Sequence, residues 1–258
     1  MDELEWHTAR AALEWQVEMG TTDAIGDKPI DRYAVPVENL EKNPKIVQSP
    51  AVSFLKKIDP IALAEQSASA AENLTQLEQA INNFQHCDLQ RGSRNLVFSD
   101  GVPDARVMIL GDAPGREEDL KAKPFVGPEG LLLDKMLAAV GLSRQENIYI
   151  GTVIPWRPPQ DREPQQFEID MMTPFARRHV ALVNPEVLIC MGNTSCISVL
   201  GKGGVTKLRG QWHQGFNLPV MPMAHPRNLL RQPAGKKQAW QDLLELKSWL
   251  RNRHIKEN

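Results

Sequence analysis

Four short apolar runs punctuate the second half of the chain: Val107–Leu110, Ile148–Ile154, Val187–Met191 and Val220–Ala224. Each has the length of a buried strand and falls short of a typical helix. Between them, apolar residues recur at helical spacing. Gly130–Val140 carries Leu132, Met136 and Ala139, and Phe167–Val183 carries Ile169, Met172, Ala176 and Val180. A shorter helix is expected at Thr194–Leu200, and Lys236–Arg251 closes the chain with Ala239, Leu243, Leu246 and Leu250 on one face. Strands alternating with helices of this length predict an α/β domain, a three-layer α/β/α arrangement whose mostly parallel four-stranded sheet is covered on both sides.

The first third of the chain follows another pattern. Asp2 and Glu5 fit a capping box, and Trp6, Ala9, Leu13 and Val17 continue as a helix to about Met19, stopped by Gly20-Thr21-Thr22. From Ala24 to Pro60 the text is proline-rich and without period, as in a linker or a loosely held arm. Ala62–Phe84 is helix-friendly again, with Leu74, Leu77, Ala80 (or Ile81) and Phe84 along one side. The expected division is a helical arm and linker over 1–84 and an α/β domain over 85–258.

Composition narrows the class. The 258 residues are 41% hydrophobic and 24% charged, with a formal net charge of -2. No apolar run approaches the ~18 residues of a membrane span, and the acidic start lacks a secretory pattern, so a cytoplasmic protein is expected. Three cysteines (Cys87, Cys190, Cys196) form no CxxC and no even framework, which argues against disulfides. Residues 1–80 carry 14 acids against 7 Lys/Arg, so the remaining body is mildly basic, a weak pointer to a polyanionic partner.

Candidate chemistry collects at the strand ends. GDAPG (111–115), GTVIPWRPP (151–159), MGNTS (191–195) and AHPRNLLR (224–231) each follow a strand, and parallel strands bring their carboxyl ends to one crevice. The glycines of the first permit a tight turn and close backbone approach to a ligand. In the last, Leu229 and Leu230 read either as a wedge for stacked bases or as the start of the final helix's core face.

In this order and spacing, GDAPGREED, KPFVGPEGLLLDKML, YIGTVIPWRPPQDREP, LICMG, an Arg-Gly followed by Trp212, and HPRNLLRQP resemble a family 4 uracil-DNA glycosylase over roughly Cys87–Leu250. The resemblance implies a monofunctional DNA repair glycosylase that hydrolyses the N-glycosidic bond of uracil, or of a related deaminated base, in DNA. Phe125 would carry the flipped base. The backbone N–H groups of Gly111 and Asp112, with the His225 side chain, would face uracil O2. Asp112 and Glu118 would orient water. Asp112 stands where the family usually has Glu, and Ala113 where better-known uracil glycosylases place Asp. Thr152 stands where the family commonly has Asn, which implies altered base discrimination. Asn193 would touch phosphate through a helix N-terminus or simply cap it. Arg157, Arg227 and Arg231 would meet the DNA backbone, as would Arg162, Arg209, Lys236 and Lys237, and Asn228, Leu229 and Leu230 would form the wedge. The family's four [4Fe–4S] ligands correspond to Phe84, Cys87, Trp156 and Met172. One thiol cannot hold a cluster that needs about four, so neither cofactor nor metal is expected. A monomer acting on damaged DNA is expected, with a catalytically weakened damage-binding protein as the alternative.

Overall fold

A computed structural model describes residues 3–19 and 59–254. The chain divides into two compact units, Met1–Leu55 and Lys56–Asn258. In the first, helix α1 (Glu3–Glu18) forms over the span the apolar spacing predicts, with Arg10 and Glu14 paired one turn apart, while the expected capping residue Asp2 lies outside the described residues. The glycine-threonine stop and nearly all of the expected linker lie outside the described residues.

The second unit contains the sheet. Strands β2 (Val107–Gly111), β3 (Ile148–Thr152), β4 (Val187–Met191) and β6 (Leu218–Met223) are the four predicted runs and pair in parallel. Two edge strands, β1 (Ser99–Gly101) and β5 (His213–Gly215), add antiparallel ladders to give six strands in the order β1-β3-β2-β4-β6-β5. Neither edge strand has an apolar run, because each is three residues long and faces partly to solvent. Register then sets the site. Gly111 pairs with both Thr152 and Met191, and Met191 pairs with Met223, so four strand ends finish at one level.

Alternate residues of each central strand face opposite layers. Val107, Ile109, Ile150, Ile189 and Met221 pack with Leu133 and Leu137 of α6 (Gly127–Ala138) and with Leu243 and Leu246 of α11 (Lys236–His254). Met108, Leu110, Leu188 and Cys190 face α7 (Gln166–Val183), through Met172, Phe175 and Val180. Cys196 and Val199, on α8 (Asn193–Leu200), join the same layer.

Residues 62–84, given to the arm from sequence, form two helices that belong to this layer. They are α2 (Pro60–Ala70) and α3 (Leu74–Asn82), both packed on α7. Asn73 breaks the stretch by accepting the Gln76 N–H as an N-cap, and Ala64, Leu77, Ile81 and Phe84 are buried in the shared core. The three described cysteines are free and buried. Among the described residues, no helix is long and apolar enough to cross a membrane.

Candidate active site

The turn after β2 is shaped by what crosses it. A Cβ at Gly111 would lie 2.6 Å from the Phe125 ring, so only glycine lets the ring cover the strand end. Asp112 turns sideways toward the start of α8. Its Oδ2 accepts from Asn193 N–H at 3.1 Å and its Oδ1 from Ser195 N–H at 2.8 Å. The residue before α8 is Gly192, at φ 122°, where a Cβ would meet Asp112 Oδ2 at 2.1 Å. Asp112 thus supplies from another strand the cap that glycine lacks, and its charge complements the helix dipole. Burial nevertheless dominates and raises its pKa to about 6, against the lowering effect of those N–H bonds.

Glu118, on the short helix α5 (Arg116–Lys121), is buried and also serves backbone groups. Its Oε2 accepts from Gly115 N–H at 3.2 Å and its Oε1 from Val126 N–H at 3.1 Å. Desolvation raises its pKa. Both carboxylates expected to orient water therefore also brace the loops of the pocket.

Phe125 is 5% exposed and has a left-handed backbone, φ 49°. An aromatic residue there carries strain of about 1–3 kcal/mol, which the surroundings must hold in place. Gly130 contributes by absence, since a Cβ there would sit 1.9 Å from Phe125 O. Arg144 contributes by contact, donating from Nη2 to Phe125 O at 3.0 Å and from Nη1 to Pro124 O at 3.3 Å. No motif marks Arg144 in the sequence, and its partners lie far away along the chain.

The Phe125 ring stacks on His225, with centroids 5.1 Å apart and planes at 26°. His225 N-caps α10 (Pro226–Arg231), its Nδ1 accepting from Arg227 N–H at 3.2 Å. That bond leaves the ring proton on Nε2. Burial, aided by the Arg227 charge, lowers the His225 pKa to about 3, so the ring is neutral near pH 7. The capping role and the donor role use different nitrogens and coexist. Thr152 Oγ1 donates to Val97 O at 3.1 Å, so toward the pocket it offers only acceptor lone pairs. Between these groups lies a recess of about 10 Å³, room for roughly one water.

The recess opens on a cleft of about 570 Å³ whose walls include Asp112, Ala113, Asn193, Asn228, Leu230 and Arg231. Ala113 brings no carboxylate to its floor. The Asn193 side chain is held, its Oδ1 accepting from Gly204 N–H at 2.5 Å. Asn228, Leu230 and Arg231 are exposed on α10. Leu229, expected in the wedge, is only 2% exposed. Adjacent positions on a helix point about 100° apart, so one leucine enters the core while its neighbour faces the cleft. Four of the five arginines expected to meet phosphate already have carboxylate partners. Arg157 grips Asp161 at 2.6 and 3.0 Å, and Arg227 Nε donates to Glu129 at 2.8 Å. Arg162 pairs with Glu168 and Arg209 with Asp242.

The four positions corresponding to cluster ligands lie in one apolar layer. Phe84 meets Phe175 edge-on at 5.2 Å, and Trp156 and Met172 are buried beside them. Burial pushes the Cys87 thiol up to about 11, which keeps it protonated. One protonated thiol among three large apolar side chains does not fit an iron–sulfur cluster. Among the described residues, no group of three or more His, Cys, Asp or Glu side chains is placed to bind a metal.

Fold and site define a class: a three-layer α/β/α protein with an aromatic-floored recess, a neutral histidine donor and an exposed leucine at the carboxyl edge of its sheet. The family follows from comparison. The model of the Uracil DNA glycosylase superfamily matches residues 98–244, and the chain belongs to that superfamily. It is 30% identical over 194 residues to a Type-4 uracil-DNA glycosylase of Saccharolobus solfataricus, covering 71% of this chain and 89% of the relative. It is 32% identical to a protein of the same name from Archaeoglobus fulgidus, covering 63% and 85%. The Thermotoga maritima protein of that name is 33% identical, covering 64% and 88%.

Proposed function

We propose that this protein is a monofunctional uracil-DNA glycosylase, removing uracil or a related deaminated base from DNA and leaving an abasic site. The observation that carries the reading is the neutral His225, capped at Nδ1 and carrying its proton on Nε2, beside the Phe125 ring over the Gly111 turn. The resemblance of six motifs and the names of the relatives support the substrate class.

The chemistry follows from charge. A base must leave the stack before its glycosidic bond can be reached. Phe125 offers the surface for it, and stacking on an aromatic ring is worth about 1–3 kcal/mol per base. As the C1′–N1 bond lengthens, negative charge grows on the base and reaches O2. A fixed donor there stabilises the transition state without reorganising, and a neutral imidazole donates without attracting every phosphate in solution. The backbone N–H groups of the Gly111–Asp112 turn are proposed to act on the same oxygen. Asp112, ionised above about pH 6, faces the developing sugar cation and the incoming water from its place at the cleft wall. Thr152, an acceptor only, suits the N3–H of uracil but offers no donor to O4.

On the DNA side, Leu230 fills the gap left by the extruded nucleotide, with Asn228 and Arg231 flanking it. Arg157 and Arg227 reach phosphate by exchanging carboxylate for phosphodiester, and Glu118 acts by holding the loop rather than touching water. The protein acts as a monomer in the cytoplasm. A single-uracil oligonucleotide incubated with the protein and then with alkali tests the reading. Strand cleavage that is lost in His225→Ala is expected; tight binding without cleavage would favour the damage-binding alternative.

A further inference from the structure

Arg144 lies in the turn between α6 and β3 and is 9% exposed. Its Nη1 pairs with Asp100 at 2.9 Å on β1, and its Nε and Nη2 reach Asp134 on α6 at 2.9 and 2.8 Å. Those two carboxylates, one of them shared with Lys123, balance the guanidinium, so charge balance does not require further partners. Yet the same fork also donates to the carbonyls of Pro124 and Phe125. These are the carbonyls on either side of the left-handed Phe125 residue. On the same peptide as the Phe125 carbonyl, Glu118 holds the Val126 N–H, and Gly130 leaves room for the Phe125 oxygen. A strained backbone persists only where its neighbours over-determine it, and here they do.

We propose that Arg144 is a positioning residue for the base pocket, fixing the Phe125 ring through two carbonyls while its carboxylates anchor it to β1 and α6. The inference rests on the stacking role proposed for Phe125. Lysine keeps the charge but lacks the planar fork, and it cannot serve two carboxylates and two carbonyls in this geometry. In the unsubstituted protein the backbone of Phe125 is fixed in advance, so a base has only to widen the water-sized recess beside the ring.

The test is a double-mutant cycle on the full-length protein, using Phe125→Ala, Arg144→Lys and the pair. Single-turnover excision from a single-stranded uracil oligonucleotide is measured alongside thermal melting. Phe125→Ala is expected to lose about 10- to 100-fold in rate, the worth of a stacked base. Arg144→Lys is expected to lose a comparable factor while still melting cooperatively. The pair should be no slower than Phe125→Ala alone, because a residue acting through the ring has nothing to position once the ring is gone. If the losses multiply, or Arg144→Lys excises at the parent rate while Phe125→Ala is impaired, the proposal is overturned and the stacking role stands. If Phe125→Ala excises at the parent rate, both fall. Should Arg144→Lys fail to fold, Asp134→Asn loosens the same guanidinium from its anchor on α6, and the same non-additivity with Phe125→Ala is expected; additivity there overturns the proposal.

Discussion

Replacing His225 by Asn separates the two uses of its ring. Asn is among the best N-cap residues, and its Oδ1 can accept the Arg227 N–H now received by Nδ1. Its amide is too short to place a donor where Nε2–H now lies. Helix α10 should therefore persist. The stability loss should be limited to the missing ring contact with Phe125, about 1–2 kcal/mol, or about 2–8 °C in Tm for a domain of this size. Excision should fall by about 10²–10³, the usual consequence of removing one preorganised donor. His225→Ala should show the same rate loss and a further stability loss of about 1 kcal/mol for the cap. Single-turnover excision and melting curves on the parent and both variants provide the readout. Because burial holds the His225 pKa near 3, the parent rate should show no histidine titration around pH 6.5. Parent-like excision by His225→Asn would remove Nε2–H from the reaction. A rate that rises as pH falls through 6.5 would mean that the cation, not the neutral ring, is the active form.

The neighbouring leucines should behave oppositely. Leu229→Ala, in the core, should cost about 2–4 kcal/mol by melting, whereas Leu230→Ala should melt like the parent and lose excision more on duplex than on single-stranded substrate. Equal stability losses would refute the assignment of wedge and core. Acid sensitivity follows from the buried histidines. His179, hydrogen-bonded to Tyr149 and stacked on Phe98, is lowered by burial to about 3, as is His225. Between pH 6.5 and 3 the unfolded chain binds protons that these folded rings refuse, so stability should be complete above pH 6.5 and fall as pH drops below it. Asp112, raised to about 6, works the other way between pH 4 and 6 and blunts the slope. A Tm unchanged from pH 7 to 4.5 would contradict the histidine assignment. Thr152→Asn should restore a paired donor and acceptor and sharpen selection of uracil over hypoxanthine and xanthine; unchanged selectivity would take Thr152 out of the pocket. Purified protein should carry no stoichiometric iron and no absorbance band near ~400 nm, and iron at about four per chain would refute the reading of Phe84, Trp156 and Met172 as an apolar plug.

The sequence by itself determined the parallel centre of the sheet and its covering helices, because strands buried on both faces must be continuously apolar and helices with one buried face must be periodic. It also determined which four loops share an edge, since parallel strands leave no other arrangement. What it left open was decided by distance and phase. β1 and β5 are short polar segments that become strands only because a neighbour offers free backbone groups. Leu229 and Leu230 are chemically identical, and only the helical rotation of α10 sends one inward and the other to the cleft. Asp112 and Glu118 are singled out as candidate carboxylates by the resemblance of their motif, but that both bind backbone N–H groups depends on where α8 and the Phe125 turn arrive. Arg144 is one surface-type residue in a turn until β1, α6 and the Phe125 carbonyls close around it, and that closure exists only in three dimensions.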